Sequence, residues 1–395
     1  MATVSSAQER STTQRRSRFS LSLSQRDAVW GYLFVAPAVI GFIVFAVGPL
    51  VASIILGFTE WNLVNDPQWI GTENWRTIFT FDIAETPPAV DPETGENFFR
   101  CGRSKVPESQ VAALEGTIEE RTRRVITCAP IYTVASDVLP RGYQEVSTIN
   151  VGDKVYVLGS RDPIFWKSLY NTAFLLLGIP ISMALSLLIA VMLNQGLRGT
   201  SIFRAIYYLP SILPIAATAL IWTWIFNPDF GLLNYFLREV GMRSDIKWLA
   251  DAATVKPALI MMGVWGGMGF SILIYLAALQ NVPSHLYEAA EIDGAVTLAR
   301  FRYITWPSLT PTTFFLLVTG MIGGFQNFIQ PYIMTNGGPY FASTTTVMVI
   351  WQNAFRDLQM GYASVQAWIL GAIIIVITII NFLLARRWVY YQFEA

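Results

Sequence analysis

Residues 284–311 read SHLYEAAEIDGAVTLARFRYITWPSLTP, a polar, helix-prone stretch held between two long apolar runs. Ser284 can cap a helix start, because a hydroxyl there accepts a backbone N–H that the first turn leaves unpaired. Glu288, Ala289, Ala290 and Glu291 favour helix. Gly294 can take the left-handed conformation that ends one. A second short helix is expected from about Val296 to Trp306, ahead of Pro307. The product is a bent pair of short helices at a membrane surface, shaped to enter a cleft on a partner. An ordinary amphipathic loop helix is the alternative.

The surrounding chain is apolar. Of 395 residues, 53% are hydrophobic and 14% charged, against about 25% charged in a soluble domain. Mean hydropathy is +0.44 and net charge zero, so nothing suggests nucleic acid. Residues 1–26 are polar and Arg-containing, read as a disordered cytoplasmic tail, and the first apolar run is too long for a secretory leader. A bilayer crossing needs about 20 apolar residues. Six runs qualify: Val29–Phe58, Leu169–Leu193, Phe203–Phe226, Leu259–Leu279, Thr312–Met334 and Val365–Ala385. Pro37 and Pro49 interrupt the first, and Pro210 and Pro214 the third. The expected fold is an all-α integral membrane protein of six transmembrane helices, with a small α+β insert between the first two. Its divisions are residues 1–26, a first span within 27–61, the insert at 62–165 and a core at 166–395.

Arginines in short loops mark the cytoplasmic side. Arg10, Arg15, Arg16, Arg18 and Arg26, then Arg198 and Arg204, Arg300 and Arg302, and Arg386 and Arg387 all fall on one side of a six-span chain. Both termini and the 284–311 loop are therefore expected in the cytoplasm, and the insert outside. In the insert, Asp82–Glu96 reads as loop, Glu108–Arg121 as helix, and Arg124–Val134 and Val151–Leu158 as strands. Cys101 and Cys128, the two cysteines of the chain, both lie there. An oxidising exterior favours a disulfide; two free thiols are the alternative. There is no GxxxxGK[ST] phosphate loop, no Cys/His cluster with metal spacing and no nucleophile–base pair. His285 reads as structural or solvated.

Glu288-Ala289-Ala290, Asp293-Gly294-Ala295, Ile304, Pro307 and Pro311 resemble the EAA loop of binding-protein-dependent ABC importer permeases. Further segments resemble the carbohydrate branch, of the maltose and glycerol-phosphate type: YLFVAP (32–37), WKSLYNT (166–172), FRAIYYLPSILP (203–214), NPDFGLLN (227–234) and the Asn336-Gly337-Gly338-Pro339 loop. The insert departs from that pattern. The resemblance implies the type I importer fold in a bacterial or archaeal inner membrane. It also implies a homologous second permease, two ATPase subunits that hold ATP and Mg, an outer solute-binding protein and a carbohydrate substrate. No cofactor is implied for this chain, and Glu288, Ala289, Ala290, Asp293, Gly294, Ala295 and Pro307 would couple it to the ATPase.

The same resemblance draws a substrate pathway. Asn327 falls on a sugar-contacting position, and Gly266, Gly267 and Phe270 fall where the maltose-type permease lines its site, with Phe270 replacing a tyrosine. Gln326, Asn327 and Gln330 lie within about one helical turn, and amides at that depth must face protein or water. Gly320, Gly323 and Gly324 can leave space for a ligand or let helices approach closely. Trp265 and Phe270 can equally face core or lipid. Asn171 and Asn381 read as ties between helices. Apart from Arg204 at the edge of the third, the spans are read as carrying no Lys or Arg, which favours a neutral sugar. Glycerol-3-phosphate or another polyol is the alternative ligand, and an autonomous carrier the alternative class.

Overall fold

The computed structural model describes residues 22–390, apart from 93, 102–103, 120–123, 134, 153 and 196–198. The tail residues 1–21, with Arg10, Arg15, Arg16 and Arg18, and also Arg121, Val134 and Arg198, lie outside the described residues. The chain divides into two compact units, one ending at Ile55 and one beginning at Leu56.

The first unit is an apolar helix that runs on to Leu56. It starts at Leu23 rather than Val29, because Ser22 and Gln25 form a reciprocal capping box. Pro37 and Pro49 do not interrupt it. Pro37 sits within a helical run, and Pro49 follows a π-helical turn at Ile43–Val47, in which the Gly48 N–H reaches back to the Ile43 carbonyl. A wide turn of this kind gives a proline ring room that a regular turn denies it.

In the second unit, span 2 covers Pro163–Leu193, span 4 Val255–Gln280, span 5 Thr297–Phe325 and span 6 Met360–Ala385. Span 2 starts early because the Asp162 carboxylate caps it, accepting from the Phe165 N–H. Longer helices bring in residues that sequence left outside: Lys167 and Lys256 stand near the starts of spans 2 and 4, and Arg300 and Arg302 near the start of span 5. The expectation of no lysine or arginine in the spans is thus corrected. Span 3 is not one rod but the pair Thr200–Ile212 and Ile215–Ile225, bent by 100°. The bend falls at Leu213, whose ψ of 138° is the extended state forced on a residue preceding proline.

Span 5 differs most from expectation. It begins in the loop at Thr297, and Pro307 does not stop it. A π-helical turn at Phe301–Thr305 precedes the proline, with the Trp306 N–H bonded to the Phe301 carbonyl. The helix then ends at Phe325 instead of Met334. A new short helix, Ile329–Thr335, starts beyond a break at Gln326–Phe328.

The core lies between spans 2, 4 and 5, where Met183, Leu187, Ile272, Tyr275, Leu309 and Leu316 pack together. The Tyr275 hydroxyl bonds Thr313 Oγ1 at 3.2 Å. Ser182 and Ser186 of span 2 donate to the Val264 and Met268 carbonyls of span 4. At Gly269, a Cβ would come within 2.8 Å of the Tyr207 carbonyl, so its lack of side chain is what lets spans 3 and 4 touch.

The insert is built of short strands and small helices, with more strand than sequence indicated. Phe81–Thr86, which overlaps the expected loop from Asp82, pairs with Lys154–Ser160, which pairs with Gln144–Val151. The expected strand at Val151–Leu158 is thus two strands of a hairpin turning at Gly152, whose φ is +61°. Phe98–Cys101 lies between Ser104–Pro107 and Cys128–Pro130, and a disulfide joins Cys101 to Cys128. The expected helix at 108–121 shrinks to a turn at Glu108–Gln110 and Val111–Leu114.

The segment after span 5 folds back into the bundle rather than forming an open loop. Ser343, Thr344, Thr345 and Thr346 are all buried. Asn171 of span 2 donates to the Phe341 and Thr344 carbonyls at 2.8 and 3.0 Å. It therefore ties this segment down rather than one helix to another. Asn381 donates to Ile377 in its own helix, and its contact across to span 5 is the Met321 sulfur. Asn171→Ala should cost about 2 kcal/mol, for two lost bonds to buried carbonyls. In the purified protein this reads as a lower melting temperature, with a clearly smaller drop for Asn381→Ala. Equal drops would refute the assigned roles.

Candidate functional site

Two features stand at opposite ends of span 5. At the end shared with the insert, the break in span 5 opens a cavity of about 740 Å3 between spans 2, 4 and 5. That volume is typical of small-ligand sites. At the other end, residues 283–305 form the bent helix pair.

Gly267, Phe270, Gly323, Gly324, Gln326, Asn327 and Gln330 all line the cavity; Gly266 does not. Trp265 packs edge-on against Trp222, 5.7 Å between ring centres. The glycines divide by role. A Cβ on Gly324 would meet Leu176 at 2.5 Å, and one on Gly320 would meet Ile179 at 3.0 Å, so these two seat span 5 against span 2. A Cβ on Gly323 would meet nothing within 4 Å and would project into open space. Packing and room for a ligand are both present, on different residues.

The three amides do not share a helical turn, as sequence suggested. Gln326 closes span 5, Asn327 sits in the break and Gln330 opens the next helix. Gln330 is buried, and its Nε2 donates to the Leu259 carbonyl at 2.6 Å, which turns its Oε1 towards Asn327. Asn327 Nδ2 donates to that oxygen at 3.0 Å. The Thr345 hydroxyl holds the Asn327 carbonyl at 2.7 Å. Asn327 is thereby fixed with its Oδ1 left to accept from a ligand hydroxyl. Gln330 acts as its support, a role sequence did not separate from ligand contact. Among the described residues, no lysine, arginine or carboxylate lines this cavity.

In the loop, helix Ser284–Ile292 is capped by extended Pro283, so Ser284 becomes its first helical residue and makes no side-chain cap. Gly294 has φ +73°. The Ala295 N–H bonds the Ala290 carbonyl at 2.8 Å and the Gly294 N–H bonds Glu291 at 3.0 Å. This paired closure requires a left-handed residue after the cap. Three contacts that sequence did not single out hold the pair bent. Arg300 Nε donates to the Ala295 carbonyl at 2.9 Å, its Nη1 lies 3.5 Å from Glu291, and Tyr287 bonds Thr305. Glu288, Ala289, Asp293 and Gly294 are exposed, Ala290, Ala295 and Pro307 half-buried. Ile292 and Leu298 are 88% and 75% exposed, an apolar presentation unusual for a loop facing water alone.

Residues 167–390 match the family described as "Binding-protein-dependent transport system inner membrane component". The Bacillus subtilis (strain 168) protein named "Probable ABC transporter permease protein YesP" is 32% identical over 93% of this chain and 94% of its own, a match that takes in the insert. The lactose transport system permease protein LacF of Rhizobium radiobacter is 33% identical over 57% of this chain and 78% of its own. The sn-glycerol-3-phosphate transport system permease protein UgpA of Yersinia enterocolitica is 32% identical over 61% and 82%. Among solved structures, a bacterial ABC transporter involved in the import of the acidic polysaccharide alginate shares the fold. Its TM-score is 0.60 at 19% identity, over 92% of this chain and 96% of that one. This chain, a multi-pass membrane protein with a bent polar loop and a cavity between its spans, belongs to the binding-protein-dependent transport system inner membrane component family, the permease subunits of ABC transporters.

Proposed function

We propose that the chain forms the pathway of an importer for a neutral di- or oligosaccharide, powered by a separate ATPase. The observation that carries this reading is the cavity at the span 5 break, where a braced amide faces a space walled by apolar and small residues. Hydroxyls find an acceptor in Asn327, and sugar C–H faces find Phe270. The lactose permease among the relatives supports a sugar, and the UgpA relative supports a phosphorylated polyol. The lack of a cationic residue in the cavity wall favours the sugar, since phosphate recognition draws on arginine or lysine.

In this reading the loop end is cytoplasmic, as are both termini, in a bacterial or archaeal inner membrane. A second, homologous permease completes the pathway, two ATPase subunits bind ATP and Mg, and a solute-binding protein delivers sugar at the insert end. The exposed helix pair enters the ATPase cleft, with Glu288 hydrogen-bonding there, Asp293 meeting a basic group and Ile292 and Leu298 filling apolar space. ATP-driven closure pulls the pair and shifts the spans between outward- and inward-open populations, each favoured by different partners.

Gly294→Val should fold and assemble yet uncouple ATP hydrolysis from transport, because valine resists φ +73° and distorts the docking element. Transport should fall about tenfold or more, the equivalent of ~1.4 kcal/mol of lost coupling. Wild-type transport by the assembled variant would refute the coupling role. For the cavity, Asn327→Ala should raise the KM for sugar about tenfold with basal ATPase unchanged, as loss of about one good hydrogen bond predicts. Gly323→Val should block uptake by filling the same space. Unaltered uptake in both would remove the pathway from this cavity.

A further inference from the structure

A second cavity, of about 660 Å3, opens at the insert end of the bundle and shares no lining residue with the first. Its wall combines the turn after residue 58, the start of span 2, the π-helical turn at Gln352–Arg356 and the start of span 6. The back of this wall is rigid. Asp162 accepts from the Phe165 N–H, from the Tyr362 hydroxyl at 2.5 Å and from Gln366 Nε2 at 2.9 Å. Gln366 is fully buried, and its oxygen in turn takes Asn353 Nδ2 at 2.8 Å. Asn353 is thus oriented with its own oxygen left over.

The front of the wall is unspent. The carboxylates of Glu60 and Asp357 make no side-chain hydrogen bond or ion pair among the described residues, and Trp61 adds a ring. The open groups are therefore two carboxylate acceptors and the amides of Asn62, Gln352 and Gln359 beside aromatic surface, a set that suits a ligand rich in hydroxyls that rests an apolar face on a ring. Arg161 also lines the wall but is paired with Glu73 at 3.5 Å, so the unpaired Glu60 and Asp357 carboxylates leave the charge on balance negative, which disfavours a uronate or phosphate. Among the described residues, no three His, Cys, Asp or Glu side chains are placed to hold a metal ion.

We infer that this outer cavity is a second saccharide subsite, which holds one end of a neutral sugar chain before it reaches the span 5 cavity. The inference rests on the sugar-import reading and adds a site to it. It explains why a chain whose inner cavity offers few polar groups carries so many at its mouth.

The test uses the chain assembled with its partner subunits in nanodiscs without ATP. Lactose, maltotriose, raffinose and digalacturonate are the probes, followed by saturation-transfer NMR and titration. A neutral probe should occupy two sites per chain. The double variant Glu60→Ala/Asp357→Ala should weaken one of them about tenfold or more. Thr77→Trp, which fills the cavity from the insert side, should abolish the same site, and Asn327→Ala should weaken only the other. If both outer variants melt like wild type and bind every probe unchanged, the subsite is refuted while sugar import stands. If free arginine occupies the outer cavity and no neutral sugar does, the subsite is likewise refuted. If no neutral probe binds at either place at millimolar concentration, the sugar reading itself falls and takes the subsite with it.

Discussion

A helix broken inside a bilayer must find partners for the amides and carbonyls it releases, because no water reaches them there. Much of this bundle is organised around that demand at one place, the break at Gln326–Phe328 and the segment that follows. Thr345 takes the Asn327 carbonyl, Thr172 takes the Thr346 N–H, and Asn171 takes the Phe341 and Thr344 carbonyls. Span 2 supplies two of these three partners from the polar buried side of its first half. The break keeps its shape through these bonds and through the Gln330 bond to the Leu259 carbonyl of span 4, and the cavity lies beside it.

The loop was legible in the sequence because its signals are local. Gly294 had to be left-handed to close one helix and start another, and a neighbouring Glu-Ala-Ala run could form only helix. Spans were legible as apolar lengths, though their ends were not. Polar residues such as Asp162 and Lys256 extend helices past the apolar run, and hydropathy cannot see them. The 100° bend was foreshadowed by Pro214, whose effect on Leu213 is strict, but how far a chain turns there depends on what it packs against.

Other parts depend on contacts distant in sequence. Nothing local separates Gly323 from Gly324; only the position of Leu176 makes one of them obligatory and leaves the other facing space. Nothing local makes Gln330 a brace, since that role comes from the Leu259 carbonyl on another span. The insert was hardest, because its strands are short and pair across long stretches: Phe81–Thr86 finds its partner only about seventy residues later. Alternation over so few residues carries little signal.

Span 5 is one continuous helix of 29 residues from Thr297 in the loop to Phe325 at the cavity. At about 1.5 Å per residue that is a rod of roughly 43 Å. Near its middle it is pinned by the buried Leu309 and by the Tyr275–Thr313 hydrogen bond. Such a rod behaves as a lever with an internal fulcrum: a sideways push at the loop returns as an opposite displacement of Gly323 and Gly324. The Phe301–Thr305 wide turn lies on the short arm, where a small change of helical pitch would set how much of each stroke reaches the far side. In the proposed importer, gearing between the loop and the cavity would rest on these five residues, none of which lines the cavity.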